Sequence, residues 1–200
     1  MLMEFTYKVY GITSFQIILA IITCLIITLL SSHAFYSFIQ IFSSIGLIIT
    51  GYDICYNKSK RVCVPKNYIL LFLFTIFEAL LISSPDATIK AIIETFILTT
   101  GIYLFLAGYS MKTKLDFTNL SVILYILIVI LIILNLLGYK SSIISIIAVC
   151  YYILYDTQTI LGNGARKYVL DEYIMAALNN YLDFIILFSK LLNLLIASKL

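Results

Sequence analysis

Apolar residues run along this chain in long blocks, each closed by a short polar or helix-breaking cluster. The first block runs from Ile12 to Leu30 and ends at Ser31-Ser32-His33. The second, Phe35 to about Cys55, ends in Asn57-Lys58-Ser59-Lys60-Arg61. A third covers Asn67 to Ile82 and is broken by Ser84-Pro85-Asp86; a fourth covers Ile89 to Met111 and is followed by Lys112-Thr113-Lys114. Leu120 to Leu137 forms the fifth, turned by Gly138-Tyr139-Lys140. The sixth, Ser141 to about Leu161, and the seventh, Tyr173 to Ala197, are separated by the turn Gly162-Asn163-Gly164 and a short charged connection. A helix needs about 20 apolar residues to cross the hydrocarbon core. The pattern therefore predicts an all-α polytopic membrane protein, a single transmembrane domain over residues 1–200 with seven spans.

Composition points the same way. Apolar residues make up 62% of the chain, charged residues 12%, and the mean hydropathy is +1.08. A soluble domain carries about a quarter charged residues, because its surface must be solvated. Seven spans with tight loops use nearly all 200 residues, so no separate soluble domain is expected. The first apolar run continues past Leu30 without a basic segment before it, which reads as a first span in a chain starting at Met1 rather than as a removed signal peptide. With no Trp, the interfacial belt falls to sixteen Tyr. Cys24, Cys55, Cys63 and Cys150 have neither metal spacing nor CxxC, and structural disulfides are not expected.

Charge sets the expected orientation. Lys58, Lys60, Arg61 and Lys66 follow span 2, Lys112 and Lys114 follow span 4, and Arg166 and Lys167 follow span 6. The loops after spans 1, 3 and 5 hold almost no Lys or Arg, so the even loops and the N-terminal tail with Lys8 are expected on the cytosolic side. Seven full spans put the C-terminus outside; a last segment that only dips into the membrane leaves it cytosolic. The net charge of +3 is small and segregated, and no nucleic-acid partner is expected.

The chemistry-bearing residues concentrate in the last two spans. Asn179, Asp183, Ile186, Lys190 and Asn193 recur at spacings of four, three, four and three, which places one polar stripe on an otherwise apolar helix. Tyr152, Asp156 and Thr159 share a face of span 6, with Gln158 nearby. An acidic residue inside a span is costly and faces the protein interior or a wet cavity, so Asp156 and Asp183 are the primary candidates for an ion and proton site. Counted from the expected helix ends, Asp156 lies roughly 8 Å and Asp183 roughly 15 Å deep, a difference of about one turn that tilt can close. Two carboxylates in contact resist joint ionisation, so one holds a proton unless a cation intervenes. Such a pair senses pH and offers oxygen ligands to a hard cation. The plainer reading of the stripe is interhelical hydrogen bonding, for which neutral Asn serves at lower desolvation cost. Glu78 in span 3 and Glu94 in span 4 are further candidates for the same cavity, or packing residues. Asp53 at a helix end and the loop residue His33 read as solvated.

Nothing points to an enzyme. The chain lacks HExxH, GxSxG and a phosphate loop. A two-aspartate intramembrane protease also places one Asp on each of two adjacent helices, but no Gly-Leu-Gly-Asp occurs here and the second Asp stands in Tyr181-Leu182-Asp183.

Tyr155-Asp156-Thr157-Gln158, Asp171-Glu172-Tyr173, Ala176-Ala177-Leu178-Asn179 and Tyr181-Leu182-Asp183 with Leu187-Phe188 resemble the C-terminal signature of the Bax inhibitor-1 family. Lys8-Val9-Tyr10, Pro65-Lys66-Asn67, Phe74-Thr75, Phe77-Glu78-Ala79-Leu80, Phe96 to Thr100, and Lys114 with Asp116-Phe117 are similar to its Golgi anti-apoptotic branch in particular. The resemblance covers nearly the whole chain. It implies a seven-helix bundle with the last helix central, residence in Golgi or endoplasmic reticulum membranes, and a pH-sensitive Ca2+ leak that lowers store load and inhibits apoptosis. The family's paired aspartates fall on Asp156 and Asp183. Span 2 departs from the pattern: it carries no Arg, where a bacterial relative holds its closed state with one. No cofactor is implied, Ca2+ entering only as the permeant ion. The implied partners are the lipid bilayer, Ca2+, and either a second copy of the chain or other apoptosis-related membrane proteins. The alternative is a non-conducting scaffold that modulates cell death through protein partners.

Overall fold

A computed structural model describes residues 2–30, 33–83, 87–117, 125–130, 142–162 and 168–197. All regular structure among them is helical: α1 Leu2–Leu30, α2 His33–Tyr56, α3 Lys58–Val62, α4 Lys66–Ile82, α5 Ile89–Lys112, α6 Ser142–Ile160 and α7 Tyr173–Ala197. A 3-10 turn, Leu170–Glu172, leads into α7. The fold is that of a polytopic helical membrane protein, with α1, α2, α5, α6 and α7 each long and apolar enough to cross a bilayer. At 17 residues α4 is about 25 Å long and packs between α1 and α2. The fifth sequence block lies outside the described residues except for 125–130, which are helical.

The last helix is the centre. Half of its apolar window is buried, against 22% for α2. Around it stand α1, α5 and α6, with α4 touching it at fewer points, while α2 stands further out and packs chiefly on α4. Ala176 and Ala177, both fully buried, let α1 come close enough for the Thr13 hydroxyl to reach the Ala177 carbonyl at 3.3 Å. Small residues at such crossings are what membrane helix packing requires, since lipid tails supply no hydrophobic drive between helices. Gly46 plays this part between α2 and α4: a Cβ there would stand 2.6 Å from the Phe77 ring. Phe184 of α7 meets α5 edge-on through Phe96 and Tyr103, with centroids 6.2 and 5.6 Å apart.

The helix ends differ from the sequence expectation in three places. α1 begins ten residues before Ile12, because Phe5 and Val9, one turn apart, bury a stripe on the bundle. Glu4 sits in its first turn, where it opposes the helix dipole. His33 opens α2 rather than standing in a loop. The basic loop after span 2 contains α3, and Asp53, expected to be solvated, is instead ion-paired with Lys60 at 2.8 Å, closing the corner between α2 and α3. Elsewhere local chemistry sets the boundaries. Thr88 caps α5 by accepting from the Ala91 amide at 3.2 Å. Beyond the end of α6, Gly162 takes φ 74, which a residue with a Cβ adopts only under strain.

Candidate ion site

Two helix ends build the site. From Tyr155 to Ile160, six consecutive residues of α6 are buried. A helix in a bilayer is covered all round only where other protein lies over it. The cover on one side is the segment after α5. Gln158 clamps it, its Nε2 donating to the Leu115 carbonyl at 2.7 Å and its Oε1 accepting from the Phe117 amide at 2.8 Å. Phe117 then packs edge-on against Tyr151 at 5.8 Å. The connection between α6 and α7 supplies further cover through Tyr168, itself buried. Burial, and next to it the Asp156 carboxylate, push the Tyr168 phenol up from its ordinary value, so its oxygen stays protonated.

Beneath this cover the two acids meet. Asp156 is 1% exposed and Asp183 5%, and the two carboxylates lie within electrostatic reach of each other. Asp183 Oδ2 is buried and has no hydrogen-bond partner among the described residues. The Tyr10 hydroxyl of α1 and the Tyr103 hydroxyl of α5 lie within electrostatic reach of both carboxylates; Tyr103 is buried, and Tyr10 is partly buried with its hydroxyl inside.

A cavity of about 430 Å³ opens at Asp183, and Asp156 is not part of its lining. Asp183, Asn179, Tyr152, Lys190, Ser145 and Ala148 contribute to its lining. The stripe read from the sequence thus places Asn179, Asp183 and Lys190 on one void, with Tyr152 of α6 opposite. Asn179 also donates to the Tyr168 hydroxyl at 2.6 Å, which ties the α6–α7 connection to α7.

Not every candidate joins the pair. Glu94 is 42% exposed and pairs with Lys90 at 3.7 Å in the first turns of α5. Nine residues separate it from Tyr103, about 13 Å along the helix. Glu78 is half-buried on α4 beside Cys24 and Tyr181, a different face of the bundle. Several residues that do build the site were not singled out by the pattern. Asn180, 1% exposed, accepts from the Tyr103 hydroxyl at 2.6 Å and donates to Thr13 at 3.2 Å, linking α5, α7 and α1. Tyr10 and Tyr168 were missed because a tyrosine among sixteen carries no positional signal.

Among the described residues there is no group of three or more His, Cys, Asp or Glu that could hold a metal ion. Ca2+ takes six to eight oxygens. Two carboxylates and neighbouring hydroxyls offer fewer, so an ion held by them alone would keep much of its water.

Comparison with known proteins decides the lineage. The family model described as "Inhibitor of apoptosis-promoting Bax1" matches residues 2–199. The chain belongs to the Bax inhibitor-1 family. Among its relatives, the Golgi anti-apoptotic protein of vaccinia virus (strain Lister) is 31% identical over 215 residues, covering 98% of this chain and 86% of the viral protein. Bax inhibitor 1 of Schizosaccharomyces pombe is 30% identical over 209 residues, covering 96% of this chain and 76% of the yeast protein. Protein lifeguard 4 of Mus musculus is 29% identical over 211 residues, covering 96% and 84%. This Bax inhibitor-1 family member carries both acids of its candidate site on adjacent helices whose packing is determined by its own side chains.

Proposed function

We propose that this protein is an anti-apoptotic component of Golgi or endoplasmic reticulum membranes that lets Ca2+ leak from the store past Asp156 and Asp183. The observation that carries the reading is the pair itself: two acids from adjacent helices, each at least 95% buried and within electrostatic reach, of which Asp183 lines a cavity of about 430 Å³. A bundle held by packing alone gains nothing from two carboxylates there, since Asn would hydrogen-bond at lower desolvation cost. The relatives' names support the cell-death role, and the viral relative's name supports the Golgi. In this reading Ca2+ needs ionised oxygens and protons compete for them, which makes the leak sensitive to pH.

In cells expressing the protein, resting store Ca2+ should fall and survival after a death stimulus should rise together. Survival without any change in store Ca2+ would favour the scaffold reading, which needs no wet path. For orientation, the basic loops around Lys60 and Lys112 are proposed to face the cytosol with the N-terminus. Glycan acceptors inserted at either loop should stay unmodified, and efficient glycosylation of one would reverse the orientation.

A further inference from the structure

Lys190 has a place in the fold that the aspartate pair alone does not explain. It follows Asp183 by seven residues on α7, two turns and about 10 Å along the axis, and so lies on nearly the same face. Both residues line the 430 Å³ cavity. Lys190 stands seven residues before Ala197, about 10 Å inside the end of the helix, and is only partly exposed. A lysine near a helix end usually extends its ammonium outward to the membrane interface. Here the side chain also borders the protein-lined void that it shares with Asp183. Lys190 makes no salt bridge among the described residues.

We propose that the Lys190 ammonium is a fixed positive charge on the cation path, about two helical turns from Asp183 in the same cavity, biasing the path against divalent ions. The inference rests on the ion-path reading above and adds to it the residue that sets valence selectivity. The chemistry follows from charge alone. An entering cation must share the cavity with the ammonium. The repulsion energy of a divalent ion is twice that of a monovalent one, so the corresponding rate factor is squared. Repulsion over about 10 Å in a partly wet cavity corresponds to about a threefold effect on a monovalent ion and about tenfold on Ca2+.

The test uses full-length protein purified in detergent, reconstituted at equal density in liposomes, with Ca2+ and Rb+ fluxes measured in parallel. Lys190→Gln should raise Ca2+ flux about tenfold and Rb+ flux about threefold. Lys190→Arg, which keeps the charge, should restore the low Ca2+ to Rb+ ratio, and Lys190→Met should behave like Lys190→Gln. Unchanged fluxes in Lys190→Gln, or equal factors for the two ions, would overturn the proposal while loss of Ca2+ flux in Asp183→Asn left the ion-path reading intact. Wild-type Ca2+ flux in Asp183→Asn would remove the ion path itself. Failure of both neutral variants to yield folded protein would mark Lys190 as a packing residue and overturn the proposal as well.

Discussion

Replacing Asp183 by Asn should return store Ca2+ to the level of cells lacking the protein, with the variant still folded and in its membrane. Asn keeps the shape and the hydrogen-bonding capacity of the side chain and deletes only the charge. Asp183 is 5% exposed, lines the cavity and lies within electrostatic reach of Asp156, so its carboxylate is where a passing ion would exchange water for protein oxygen. Loss of a carboxylate at a few ångströms from a divalent ion in a partly dry site is expected to reduce the leak on the order of tenfold or more. Asp156→Asn should do the same. The double variant should add little, because members of one site are not additive. Additive losses would mean two separate ion positions, and a leak unaffected by either change would leave the acids as packing residues.

The second large effect concerns stability rather than flux. Asn180→Leu should lower the stability of the bundle by about 2 kcal/mol, read as an earlier thermal transition in detergent. Asn180 is buried at the crossing of three helices, where it accepts from Tyr103 and donates to Thr13. Leu fills the volume but leaves the Tyr103 hydroxyl buried beside an apolar group. Interhelical hydrogen bonds in membranes are worth under about 1 kcal/mol on average, so most of the loss is the stranded hydroxyl. Adding Tyr103→Phe to Asn180→Leu should therefore recover part of the stability. A double variant no more stable than Asn180→Leu would place the loss in packing instead.

These two residues show what the sequence could and could not reveal. The spans were legible because a bilayer fixes the length of an apolar run, and the bounds of α4, α6 and α7 lie within a residue of the blocks. The last helix stood out for the same reason: a polar stripe on an apolar helix has to face protein. Asn179 was readable because it lies one turn before Asp183. Asn180 was not, since one residue turns the side chain by about 100° onto α5 and α1, and only the packing shows that this face is occupied. Glu94 misled because hydropathy does not register depth. Five residues after Ile89 it is near enough to the helix start to be 42% exposed and to meet Lys90. The covered end of α6 has no sequence signal of its own. It depends on Gln158 holding Leu115 and Phe117, residues more than forty positions away.

The central claim is that Asp156 and Asp183 are a shared site for Ca2+ and protons. The most direct measurement is Ca2+ flux into liposomes holding the purified protein, recorded across two pH units on either side of neutrality for the wild type and Asp183→Asn. The account predicts a wild-type flux that changes with pH, and a flux in the variant that is both small and flat, because Ca2+ and protons no longer compete for the missing carboxylate. A variant with wild-type flux and wild-type pH response would contradict it.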